Sequence, residues 1–221
     1  SMQQTTTAAI EDGVRRLGQD LPPGAGARLA ALLGELGRWN RRINLTAIRD
    51  QDAMVAAHVL DSLAARPFLS GPRVADVGTG AGFPGLPLAI AEPGIEIELV
   101  DSSAKKIAFV QHAINILGIG NARAVRARVE SYASGAPFDT VIVRALGTLP
   151  YLLEAAGHLV ADRGVMLALK GQYPHDELGA FGRMNHLATR WESDVTALAV
   201  PGLERHARHV VRFRRTAAGG T

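Results

Sequence analysis

Val74-Ala75-Asp76-Val77-Gly78-Thr79-Gly80-Ala81-Gly82-Phe83-Pro84-Gly85-Leu86-Pro87-Leu88 decides the fold. An apolar run, a glycine-rich turn and a second apolar run read as a strand, a tight loop and the start of a helix. Glycines in such a loop remove the Cβ atoms that would keep a ligand away from bare backbone. Downstream, Asp101 closes a second strand-like run, Ile95-Glu96-Ile97-Glu98-Leu99-Val100, where an acid can accept hydrogen bonds from a ribose. The spacing fits a nucleoside-containing cofactor across the ends of two neighbouring parallel strands, its sugar on Asp101 and its polar tail over the glycines. Gly80 to Gly85 also satisfies the dinucleotide pattern G-x-G-x-x-G, so the pattern alone does not separate NAD from S-adenosylmethionine. Asp76 favours the latter: a carboxylate beside the turn repels a pyrophosphate but attracts an ammonium and a sulfonium.

The chain has 221 residues, 47% hydrophobic and 20% charged, enough for one sizeable core with a small appended unit and unlike a disordered chain. No apolar run approaches the roughly 20 residues of a membrane-spanning helix. Ser1-Met2-Gln3-Gln4 lacks the basic and apolar blocks of a secretory signal, so a cytoplasmic protein without a membrane partner is expected. Ser1 ahead of Met2 reads as a residue added during cloning and is set outside the fold. Cysteine is absent, which excludes disulfides, thiolate metal sites and cysteine nucleophiles. The closest histidine pair, His206 and His209, has no third ligand candidate beside it, and no metal is expected. The net charge is only +3, but Lys105, Lys106 and Lys170 are the only lysines. Arginines cluster at Arg38, Arg41, Arg42 and Arg49, at Arg123, Arg126 and Arg128, and from Arg205 to Arg215. Their planar forks suit phosphate and permit an RNA footprint.

Residues 1–70 read as a helical extension, with Leu29, Leu32, Leu33 and Leu36 on one stripe, Pro22-Pro23-Gly24 as a break and a further helix from Asp50 to Pro67. From there the texture changes, and residues 71–221 read as one Rossmann-like domain. Strand-like runs cover Arg73 to Val77, Glu96 to Val100, Ala124 to Ala127, Thr140 to Val143, Val165 to Leu169, Val195 to Leu198 and His209 to Phe213. Their alternation with helical stretches predicts a parallel sheet flanked by helices. The link between the last two runs is too short for a crossover helix, which makes them an antiparallel hairpin at the sheet edge. The expectation is an α/β fold with a seven-stranded, mostly parallel sheet, one antiparallel edge strand, and a mobile tail over Thr216 to Thr221.

Several separate motifs, in order, resemble the ribosomal RNA small subunit methyltransferase G family. They are Trp39-Asn40, Asn44-Leu45-Thr46, His58-Val59-Leu60-Asp61-Ser62-Leu63, Asp76 to Gly85, Asp101-Ser102 with Lys105-Lys106, Val141 to Ala145, and Leu169-Lys170-Gly171. The resemblance covers Trp39 to Phe213. It implies a class I S-adenosylmethionine-dependent methyltransferase acting on N7 of one guanine in 16S ribosomal RNA or the small ribosomal subunit; a monomer is the separate expectation. A small-molecule methyltransferase, an NAD-dependent oxidoreductase and a non-catalytic RNA-binding assembly factor are the alternatives.

Guanine N7 carries an in-plane lone pair and demands no general base. Methylation of cytosine C5 would need a cysteine, and exocyclic amine methylation a tetrad that Val143-Arg144-Ala145-Leu146 does not provide. By the resemblance, Gly78 and Phe83 touch the cofactor within the loop that also holds Thr79, Gly80 and Gly82. Asp101 anchors its sugar, Val129-Glu130 flank its adenine, and Arg144 sits where cofactor and target base meet, with a catalytic role. Lys170, Arg205 and Arg208 are the expected RNA contacts, Arg205 and Arg208 being two registers of one family position. His58, Asp61 and Ser62 share a helical face and are expected to fasten the N-terminal helices to the core. Asn44 and Thr46 are expected to shape the turn before Asp50.

Overall fold

The computed structural model describes residues 1–144 and 146–217; of the tail expected over Thr216 to Thr221, residues 218–221 lie outside them, while Thr216 is anchored, its amide donating to the Arg190 carbonyl and its Oγ1 to the Thr189 carbonyl, both at 2.8 Å. Seven strands form one sheet: β1 (Arg73–Val77), β2 (Glu96–Asp101), β3 (Ala122–Arg126), β4 (Phe138–Arg144), β5 (Val160–Lys170), β6 (Trp191–Ala197) and β7 (His209–Arg215). Their spatial order is β3-β2-β1-β4-β5-β7-β6. Every pairing from β3 to β5 is parallel. β7 runs antiparallel to both β5 and β6. The predicted hairpin therefore closes the sheet, with β6 outermost and the reversed β7 on its inner side.

Strand starts depart from the sequence reading where polar residues interrupt the apolar run. β5 begins at Val160, ahead of Val165, because Asp162 and Arg163 lie exposed within it. At Gly164 a Cβ would stand 2.9 Å from the carbonyl oxygens of Phe138 and Asp139, so only glycine fits beside the register shift in β4. β6 begins at Trp191 rather than Val195, since Glu192 and Ser193 of this edge strand face solvent.

Among the described residues the helices form two layers. On one sheet face lie α1 (Met2–Arg16), α2 (Ala25–Asn40), α3 (Gln51–Met54), a π-helical turn (Val55–Leu60), α4 (Asp61–Leu63), α5 (Gly85–Ala91) and α6 (Ala104–Leu117). On the other lie α7 (Leu149–Ala156), α8 (His175–Arg183) and α9 (Asn185–Ala188). The leucine stripe of α2 is fully buried, each such side chain contributing about 1.5–3 kcal/mol. Ile10, Leu29 and Val59 share one apolar cluster with Val74, Leu86 and Leu99, so the N-terminal helices roof that face of the sheet. Asp50 caps α3, its Oδ2 accepting from the Ala53 N–H at 3.0 Å. The single helix expected beyond it is instead split by the π turn. Ser1 belongs to the fold, for it caps α1 in a reciprocal bond with Gln4.

Candidate active site

The glycine loop leaves the C-terminal end of β1, the crevice side of an open parallel sheet. The amides of Gly78 and Thr79 both donate to the Val100 carbonyl, at 2.8 and 3.0 Å, which locks the loop onto the end of β2. Asp76 is fully buried beneath it, its Oδ2 accepting from Thr79 Oγ1 at 2.6 Å and from the Gly85 amide at 2.8 Å. Burial pushes its carboxyl up to about 6. The sequence argument put this carboxylate beside the ligand; the structure puts it behind the loop, as the staple that sets the loop's shape.

Asp101 stands at the end of β2, Oδ2 accepting from the Gly80 amide at 2.9 Å and Oδ1 from the Ser103 amide at 2.8 Å. The cap of α6 is Ser103 itself, whose Oγ accepts from the Lys106 amide. A carboxylate has about four lone-pair positions, so Asp101 keeps capacity for two sugar hydroxyls. The loop, Asp101, Val129, Glu130 and Arg144 border a cleft of about 480 Å³ that Gly78, Thr79, Gly80 and Phe83 also line. Gly82 does not line it; a Cβ there would stand 2.4 Å from Leu86 Cδ1, and its part is to turn the chain. At Gly80 a Cβ would meet nothing within 4 Å, so the backbone faces open space, a cradle that fits a nucleoside cofactor. Lys106, from the motif that follows Asp101, and Arg128, from the second arginine cluster, line the same cleft.

A second cleft of about 710 Å³ adjoins the first, and His58 and Arg144 line both. The guanidinium of Arg208 donates through Nε and Nη2 to the two oxygens of Asp61, at 2.7 and 2.6 Å. Arg144 Nη1 approaches Asp61 Oδ2 at 3.8 Å, and among the described residues it is a buried donor without a hydrogen-bond partner. Burial, and then the Arg144 charge, hold His58 down to about 4. The ring is neutral at neutral pH, with Nε2 against Thr46 Oγ1 at 2.9 Å. Asp61 does fasten α4, through Arg208, whereas the Ser62 hydroxyl bonds only the His58 carbonyl one turn back in the same helical segment. His58 and Asp61 also face the second cleft, a role the shared helical face did not reveal. Thr46 shapes its turn as expected, accepting from the Ile48 amide.

The sequence pattern of the rRNA small subunit methyltransferase G family matches residues 26–211. The ribosomal RNA small subunit methyltransferase G of Stenotrophomonas maltophilia is 43% identical over 208 residues, covering 91% of this chain and 93% of its own. That of Nitrosospira multiformis is 42% identical over 213 residues, covering 93% and 96%. The chain belongs to the rRNA small subunit methyltransferase G family. Solved structures share the fold at low identity. The O-methyltransferase TomG from Streptomyces achromogenes, in complex with S-adenosylmethionine, superposes with a TM-score of 0.55 at 15% identity over 84% of this chain and 90% of its own. A methyltransferase from Geobacter sulfurreducens bound to S-adenosylhomocysteine gives 0.53 at 15% over 71% and 90%.

Membership in the methyltransferase G family makes the chain an S-adenosylmethionine-dependent enzyme of small-subunit ribosomal RNA. No helix among the described residues is long and apolar enough to cross a membrane. Of the three cations expected at RNA, Arg205 is exposed on the loop before β7. Arg208 is held by Asp61. Lys170 Nζ donates to the Gly147 carbonyl and to Glu177 Oε1, both at 2.8 Å. Glu177 Oε1 also accepts from the Leu149 amide at 2.9 Å, so Lys170 and Glu177 together hold the segment that leads from β4 into α7.

Proposed function

We propose that this chain, as a monomer, transfers a methyl group from S-adenosylmethionine to N7 of one guanine in 16S ribosomal RNA, with Arg144 at the meeting point of cofactor and base. When bound, S-adenosylmethionine supplies an electrophilic methyl group on a cationic sulfur. Asp101 holds the sugar hydroxyls, the Gly78–Gly80 backbone carries the polar tail, and Val129 and Glu130 flank the adenine. Arg144 Nη1 donates to guanine O6, which orients the base and leaves N7 free to attack.

No side chain needs to take a proton, because the N7 lone pair is available at neutral pH. Alignment is the chief catalytic contribution. The surroundings agree: His58 is neutral, and the chain has no cysteine for a covalent route to a ring carbon. The observation that carries the proposal is the placement of Arg144, whose Nη1 has no hydrogen-bond partner among the described residues, on the wall common to the cofactor-sized cleft and a second cleft wide enough for a base. Arg128 lines the first cleft and exposed Arg41 and Arg42 precede Leu45 on its rim, giving phosphate a landing surface. The test is incubation of small subunits with labelled S-adenosylmethionine, then borohydride and aniline cleavage at N7-methylguanine. One cleavage site in 16S RNA is expected; label on protein or on small metabolites overturns the proposal.

A further inference from the structure

From the glycine loop into the second cleft, polar groups follow one another in a fixed order. The Gly78 backbone borders the first cleft, Arg144 and His58 border both, and Asp61 borders the second alone. The edge of guanine presents its groups in a matching order: the N7 acceptor, the O6 acceptor, then the N1–H and 2-amino donors. We infer that the second cleft receives the target guanine and that Asp61 is the residue that identifies it, accepting from the 2-amino group through a lone pair that the Arg208 fork leaves free. The inference rests on the N7-guanine function proposed above.

Three observations support Asp61 in this part. Its side chain is 4% exposed, and Arg208 makes one bond to each oxygen. Of a carboxylate's roughly four lone-pair positions, the Arg208 fork takes the two that converge, and an outward-facing one is left for a single donor of the base. Part of the wall is low, where Ala53, Ala56 and Ala57 of the helical segment face Gly202 of the opposing loop, and Ile48, Leu203 and His206 flank it. At Gly202 (φ +87°) a Cβ would stand 2.7 Å from Ala56 Cβ, so no side chain fits where loop and helix meet. Finally, His58 lies within the π-helical turn Val55–Leu60, which hands the chain directly to Asp61; such turns recur at functional sites.

Adenine would be refused at both points. Its 6-amino group would face the Arg144 donor and it has no 2-amino group to offer the carboxylate, leaving buried groups unpaired.

The test compares small subunits reconstituted on 16S RNA carrying guanine or inosine, which lacks the 2-amino group, at the methylated position, by single-turnover kcat/KM. Wild type is expected to prefer guanine by about tenfold or more. Asp61→Asn, and Asp61→Glu as a second variant that keeps the charge, are expected to bring the ratio towards one. Arg208→Lys, which leaves the Asp61 carboxylate in place, is expected to slow both substrates by the same factor. Equal rates on guanine and inosine in wild type, or an unchanged ratio in either folded Asp61 variant, overturn the inference. Wild type that leaves guanine N7 unmethylated overturns the function beneath it, a result separable because it precedes any comparison of bases.

Discussion

At Gly78 two demands fall on one residue: its φ is +71°, and a Cβ would stand 2.7 Å from Leu146 Cδ2 on the opposite wall of the cleft. A left-handed conformation costs a non-glycine residue about 1–2 kcal/mol, and relief at Leu146 would reshape the wall. Gly78→Ala should therefore weaken S-adenosylmethionine binding by about tenfold or more, read by calorimetric titration; an unchanged Kd would place the cofactor elsewhere. Asp76 gives a pH signature. Its carboxyl sits at about 6 in the fold against an ordinary 3.8, because burial disfavours the charge. A group raised in this way stabilises the fold fully below pH 3.8 and loses that contribution as pH climbs through 6. The difference corresponds to about 3 kcal/mol. Relative to Asp76→Asn, wild type should lose about that much stability between pH 3.8 and 6.5 in urea melts, and a flat difference would mean that Asp76 ionises freely. The glycine loop was legible in sequence because its constraints are local. The partner that fastens Asp61 was not, because Arg208 lies 147 residues away, and helical spacing carries no information about such contacts.

At the scale of elements, the Asp61–Arg208 pair joins α4 to the approach of β7. Removing one member of a buried, bidentate pair leaves the other charge uncompensated, which costs about 3–5 kcal/mol. Arg208→Ala should lower unfolding stability towards that range. Arg205→Ala should leave stability within about 0.5 kcal/mol and reduce the salt slope of RNA binding by about one. The two variants together assign the alternative registers seen in the sequence. An Arg205 variant with an unaltered salt slope would remove it from the RNA surface. Element boundaries were readable where a short, largely buried apolar run is bounded by turn residues, as in β1 and β2. They were obscured where an edge strand shows polar residues to water, as at the start of β6, or where Gly164 admits a register shift, as in β5. The π turn left no signal, because Val55 to Leu60 carry the same apolar spacing that a regular helix would.

At the scale of the whole molecule, the walls of the site come from both parts of the chain: Leu45 and His58 precede residue 70, while Gly78, Asp101 and Arg144 belong to the sheet region. The same apolar cluster runs through both, from Ile10 and Leu29 to Leu86 and Leu99. α1 packs on α2 and on the π turn, and α2 on α5 and α6, within an apolar cluster that continues into the sheet, so the two parts should unfold as one cooperative unit. The two tryptophans test this. Trp39 lies on α2, its ring 5.5 Å from that of Phe109, and Trp191 opens β6 with its ring under the Arg215 guanidinium at 4.5 Å. Trp191→Phe leaves a probe on the helical roof, and Trp39→Phe leaves one at the far sheet edge. Each probe's variant should give the same transition midpoint by fluorescence and by far-UV circular dichroism, after allowance for its own substitution. Saturating S-adenosylmethionine, at 100 times its Kd, should raise the stability reported by both probes by about 2.7 kcal/mol. An earlier transition at Trp39, or a cofactor shift confined to Trp191, would mean that residues 1–70 fold as a separate unit and that the cleft can lose its roof while the sheet stays intact.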